Sequence, residues 1–101
     1  MPTTVEFIGD IASLNLRGDF DFSSQDELNG AIEEVLCANA MREIRVDLSE
    51  ATFIDSSVIR SLLRLHEVAV KGGKSLILLN CNEKVREIFT IGGFDQLFTM
   101  R

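Results

Sequence analysis

The chain of 101 residues has no tryptophan, no tyrosine, one proline, one histidine and two cysteines. Each scarcity closes a class of function. Without Trp or Tyr, and with no interleaving of basic and aromatic residues, nothing offers stacked bases a platform. Ten Lys and Arg against sixteen Asp and Glu leave a net charge of −6, which argues against nucleic acid or an anionic membrane as the main partner. The purest apolar run, Leu76-Ile77-Leu78-Leu79, is far too short to span a bilayer, so no membrane insertion is expected. Met1-Pro2-Thr3-Thr4 lacks the basic segment and apolar stretch of a secretory signal, and a cytoplasmic location is expected.

The rare reactive side chains point the same way. Cys37 and Cys81 lie in apolar contexts without C-x-x-C spacing and read as buried, reduced thiols. His66, between Leu65 and Glu67, has no evident partner for general-base work and reads as a packed residue. One His and two separated Cys do not make a metal cluster. Phosphate-cradling glycine loops, dinucleotide fingerprints, zinc-protease helices and nucleophile elbows are missing from the sequence. Neither an enzyme nor a cofactor-binding protein is expected.

Hydrophobic residues at 46% and charged residues at 26% are ordinary for a globular chain, and no linker or repeat divides residues 1–101, which read as one domain. Val5, Phe7 and then Ile11, Leu14, Leu16 predict two short strands around a Gly9-Asp10 turn. Ser24 predicts a helix cap with Glu27 reaching back, followed by Leu28, Ala31, Ile32, Val35 and Leu36 at helical spacing. Ile44, Val46 and Leu48 alternate with Arg45 and Asp47 as a strand should. A helix from Ser56 or Ser57 to Lys71 follows, its inward face formed by Val58, Ile59, Leu62, Leu63, Leu65, Ala69 and Val70. Gly72-Gly73 ends it. Leu76 to Leu79 predicts a strand covered on both faces. A helix over about Glu83 to Ile91 stops at Gly92-Gly93, and Leu97 to Met100 predicts a last strand. The alternation implies an α/β fold: a mixed, largely parallel sheet prefaced by an antiparallel strand, with helices packed against it.

One segment stands out chemically. From Val46 to Val58 a strand leads into a loop that ends in Asp55-Ser56-Ser57 at the mouth of an amphipathic helix. Hydroxyls and a carboxylate there lie over unpaired helix amides, where negative charge is tolerated. Loops at the carboxyl ends of strands are also where open α/β sheets bind ligands and partners. Helix capping alone explains the same residues, so both readings stand at this level.

Ordered motifs across nearly the whole chain carry a resemblance. Leu14-Asn15-Leu16-Arg17-Gly18-Asp19-Phe20-Asp21 resembles a strand and Gly-x-x-Asp turn of the STAS domain of bacterial anti-sigma-factor antagonists. Asp47-Leu48-Ser49 through Phe53-Ile54-Asp55-Ser56-Ser57 is similar to that family's phosphorylation loop, and Gly72-Gly73-Lys74 and Val85 through Phe94 to its later part. The resemblance implies a single STAS-type domain whose Ser57 accepts a phosphate from an anti-sigma factor that is also a serine kinase. It implies that the unphosphorylated form binds this kinase, that phosphorylation releases it, and that a cognate phosphatase resets the cycle. Asp55 and Ser56 frame the acceptor, and Asp21 is implied as a second partner contact. Arg60 and Arg64 lie on a basic stripe with Lys71 that is expected to dock an acidic partner. Val58 stands where a glycine is common in the family and Arg60 where another small residue is frequent; Val58 is expected to narrow access to Ser57. Some stand-alone STAS proteins resemble accessory subunits of lipid-transporting ATP-driven complexes, which is the alternative the resemblance carries.

Overall fold

In the computed structural model, which describes residues 3–38 and 40–101, the chain builds a five-stranded sheet in the order β1-β2-β3-β4-β5. Strand β1 (Thr3–Ile8) pairs antiparallel with β2 (Ile11–Phe20). Gly9, at φ +59°, takes the first position of the two-residue turn, a conformation that suits glycine. Strands β2, β3 (Glu43–Ile54), β4 (Ser75–Leu79) and β5 (Thr99–Met100) then run parallel. Helices α1 (Gln25–Cys37), α2 (Ser56–Lys71) and α3 (Glu83–Ile91) are the crossovers between them.

Right-handed crossovers stepping in one direction carry all the helices to the same face. Accordingly one core forms, from Ala12, Leu14 and Leu16 of β2, alternate residues of β3 and β4, and the inward stripes of the helices. Each fully buried Leu, Ile or Val contributes roughly 1.5–3 kcal/mol over leaving it in water. Among the described residues no helix lies on the other face of the sheet. The expectation that β4 is covered on both faces holds in burial: Leu76 and Leu78 join the core, and Ile77, on the opposite side and outside that cluster, is buried as well. Ile77 is only 5% exposed, flanked in the sheet by Arg45 and Thr99.

Strand β3 departs most from its expected shape. The alternation that ends at Leu48 predicts a loop afterwards, but the strand continues to Ile54. Asn15 pairs with Asp47 and Arg17 with Glu50, then Gly18 with Ala51 and Asp19 with Phe53, so β3 carries one extra residue at each of two bulges. The bulges change the inward spacing from two to three, and Leu48, Ala51 and Ile54 all reach the core. For the same reason β2 runs through Gly18 to Phe20, and the turn read at Gly18 begins only at Asp21. The Arg17–Glu50 ion pair, 2.7 Å across the strands and largely exposed, adds at most about 1 kcal/mol to this register.

Helices α2 and α3 match their expected spans, and Gly73 and Gly93 supply the left-handed residues after them. Val70 turns out of the core at 56% exposure, because it lies one position beyond the stripe that Leu62, Leu65 and Ala69 define. Ser24 makes no side-chain cap: Asp21 opens a 3-10 turn over Phe22–Ser24, which delivers the chain to α1. Glu27 instead accepts the Thr3 amide at 3.0 Å and ties α1 to the edge strand. The cysteines also differ from expectation, Cys37 being exposed and Cys81 half-buried. His66 packs against Phe98 at 5.6 Å between ring centres. No helix among the described residues is long and apolar enough to cross a membrane.

Candidate functional site

Parallel strands β2 and β3 end together, with Phe20 opposite Ile54 and the Asp55 amide donating to the Phe20 carbonyl at 3.0 Å. The residues that follow, Asp21 and Asp55, therefore leave the sheet side by side at its carboxyl end. Each caps what comes next. Asp21 accepts the backbone amide and the hydroxyl of Ser23, and these two hydrogen bonds, the hydroxyl first, hold its carboxyl below the usual carboxylate range. Asp55, extended at φ −92° and ψ 175°, caps α2 by accepting the Val58 amide at 3.1 Å.

The same oxygen of Asp55 accepts the Ser57 hydroxyl at 2.6 Å. Ser57 is partly exposed and Ser56 exposed. The carboxylate thus fixes the hydroxyl's direction on a residue that stays partly exposed. Val58, by contrast, is 0% exposed and points into the core. The expectation that it narrows access to Ser57 is corrected, since at the third helical position its side chain faces inward beneath the mouth rather than across it.

Beside Ser57 a shallow groove of about 350 Å³ runs between α1 and α2, lined by Gln25, Asn29, Ser57, Arg60, Ser61 and Arg64. The Ser61 hydroxyl donates to Gln25 Oε1 at 2.9 Å and so joins the two helices across its floor. Arg60 and Arg64 are exposed. Arg64 lies 3.8 Å from Glu33 of α1, and Arg60 has no ion-pair partner among the described residues. Two aromatic side chains complete this end of the molecule: Phe22, 78% exposed in the turn after Asp21, and Phe53, 41% exposed near the end of β3.

The fold brings Asp21, Asp55, Ser56 and Ser57 to one end of the sheet, and sets Arg60 and Arg64 along the groove that leads away from Ser57. Sequence reasoning missed Gln25, Asn29 and Ser61. Ser61 was legible as a polar residue one turn after Ser57, but only α1 packing on α2 reveals the other two. Phe22 and Phe53 were missed as well, because an exposed Phe reads as core until the bulges and the 3-10 turn are known.

The chain has clear relatives. The family model for the STAS domain matches residues 3–101. A STAS-domain containing protein of Pseudomonas aeruginosa (strain UCBPP-PA14) is 37% identical over 90 residues, 89% of this chain and 87% of that protein. An anti-sigma factor antagonist from Mycobacterium paratuberculosis superposes with a TM-score of 0.86 at 21% identity, over 97% of this chain and 82% of its own. The Bacillus cell fate determinant SpoIIAA in its phosphorylated form gives 0.75 at 19% identity, over 98% and 90%. At these identities the two solved structures are alike to this chain in fold.

Proposed function

This chain belongs to the STAS domain family, and we propose that within it the protein is a cytoplasmic anti-sigma-factor antagonist: a binding protein, not an enzyme, whose docking to a serine kinase is controlled by phosphorylation of Ser57. The observation that carries this reading is the Ser57 hydroxyl, aimed by Asp55 on a partly exposed residue at the mouth of α2. A fold neighbour, SpoIIAA, is an anti-sigma factor antagonist with structures in both unphosphorylated and phosphorylated form.

In the unmodified state the kinase meets a neutral hydroxyl between Asp21, Asp55 and Ser56, with Phe22 and Phe53 beside them as apolar anchors. The kinase's bound ATP supplies the group. Ser57 Oγ forms a bond to the γ-phosphorus, the bond from that phosphorus to the ADP oxygen breaks, and the hydroxyl proton passes to a base on the kinase. The product carries about −1.5 to −2 charges at the same spot. A helix N-terminus tolerates that charge, so α2 persists. What changes is the surface: the neutral hydroxyl is lost from the interface and a bulkier anion stands in its place. A penalty of about 1.4 kcal/mol already weakens binding tenfold. A phosphatase that hydrolyses the ester restores the hydroxyl.

The test is calorimetric titration of an anti-sigma serine kinase from the protein's own organism with the parent, Ser57→Ala and Ser57→Asp. Parent and Ser57→Ala are expected to bind alike, and Ser57→Asp at least about tenfold more weakly. Equal affinity of all three overturns the reading.

A further inference from the structure

Phosphorylation destroys the one hydrogen bond that the Ser57 hydroxyl makes, and the geometry decides where the new group goes. The ester oxygen has no hydrogen to give Asp55, and the carboxylate now 2.6 Å away becomes a like charge. Asp55 cannot move aside cheaply, because the same oxygen caps the Val58 amide. Beneath the mouth the way is closed by Val58, packed in the core. What remains is solvent and the groove between α1 and α2, and of the two only the groove offers binding groups.

That groove is equipped for an anion. Arg60 and Ser61 stand three and four residues after Ser57, one helical turn along the same face, and Arg64 stands a second turn along. Long side chains on a helix favour rotamers that lean back toward its N-terminus, a direction open to Arg60 from one turn along and to Arg64 once it leaves Glu33. On the facing wall Asn29 Nδ2 donates a long bond to Gln25 Oε1 at 3.5 Å, and the Gln25 amide nitrogen is a further donor. Arg60 has no carboxylate partner among the described residues. Arg64 has only a loose one, Glu33 at 3.8 Å with both side chains more than half exposed, an exposed pair of the kind worth less than about 1 kcal/mol. Both are available to a doubly charged acceptor.

We propose that the groove between α1 and α2 is an internal phosphate seat: phosphorylated Ser57 turns away from Asp55 and is bound by Arg60 and Arg64 of its own chain. This rests on the reading of Ser57 as the phosphoacceptor and deepens it. The modification then acts twice. It removes the neutral hydroxyl from the docking surface, and it also neutralises the two arginines that otherwise present positive charge to an acidic partner. A chain with small or neutral residues at both arginine positions would have only the first effect.

The experiment uses the full chain with phosphoserine incorporated at position 57 during translation, so no kinase is required. Phosphorus NMR follows the second ionisation of the phosphate, in the parent background and with Arg60→Ala and Arg64→Ala combined. Both arginines are exposed, so the double variant is expected to fold, which its amide spectrum checks. In the parent the midpoint is expected about half a unit or more below that of the double variant, since neighbouring positive charge favours the dianion. Amide shifts at Gln25 and Asn29 are expected to differ between phosphorylated and unmodified parent, and not in the double variant. Indistinguishable midpoints, or shifts confined to residues 55–58, overturn the seat. A failure of any serine kinase to modify Ser57 would instead sink the functional reading alone, because the seat is measured without one.

Discussion

Helices α2 and α3 begin in the same way and serve different ends. In each, a polar residue in extended conformation accepts the amide of a fully buried valine three positions on: Asp55 from Val58 at 3.1 Å, Asn82 from Val85 at 2.9 Å. Asn82 then uses its remaining amide to bind the Ala51 carbonyl at 2.8 Å, fastening α3 to the second bulge of β3. Asp55 has no such tie. Its oxygen holds a serine hydroxyl at the solvent edge, next to a groove flanked by arginines. One mouth is fully committed to the fold, while the other orients a hydroxyl on a partly exposed residue. A capping motif alone does not say which it will be; what the cap's spare atoms touch decides.

Substitutions at the two mouths should separate those roles. The largest effect on stability is expected from Asn82→Ala, which loses both the cap and the tie to Ala51. Urea unfolding should show a loss of about 2 kcal/mol with kinase affinity unchanged. At the other mouth Ser57→Asp should leave stability within about 0.5 kcal/mol of the parent, because Asp55 still caps Val58, while affinity for the kinase falls about tenfold. If Ser57→Asp instead costs about 2 kcal/mol of stability and leaves affinity intact, the roles of the two mouths are reversed. Asp55→Asn sharpens the contrast further. It keeps an oxygen for the Val58 amide, so the unfolding free energy should change by less than about 0.5 kcal/mol.

A smaller effect comes from Asp21. Its folded-state pKa lies below the ordinary value because Ser23 donates to the ionised carboxylate. The contribution is therefore complete above the unfolded-state value and is lost as pH falls through the folded one. The stability difference between parent and Asp21→Asn should be steady near neutral pH and shrink toward pH 3 in urea titrations. A difference that grows on acidification would contradict the geometry. Smallest of all is a chemical contrast. Burial pushes the Cys81 thiol up against a weaker opposing pull from Arg86, whereas Cys37 is exposed. Iodoacetamide should alkylate Cys37 first in the native protein, as peptide mapping would show.

Much of this arrangement was legible in the residues, and the exceptions share a cause. Helix α2 could be read almost to the residue because Ser56, the apolar stripe and Gly72-Gly73 all agree. Strand β3 could not be followed past Leu48, because its two bulges replace the period of two with one of three and no propensity encodes a bulge. The cap at Ser24 was misplaced because Asp21 competes for the same turn and wins with a carboxylate that takes two donors. Asp55, Ser56 and Ser57 were evident as a cluster from their order alone. That their groove has a second wall, in Gln25 and Asn29, depends on packing between helices joined by a Ser61–Gln25 bond that spans 36 residues of chain, which only the fold supplies.

The most direct test of the whole account is mass spectrometry, intact and after fragmentation, of the protein isolated from its own cells. A fraction is expected to carry a single phosphoryl group on Ser57, with Ser56 unmodified and the mass shift lost in Ser57→Ala. A chain uniformly without phosphate under conditions that turn its kinase on and off, or with the phosphate on another residue, would contradict it.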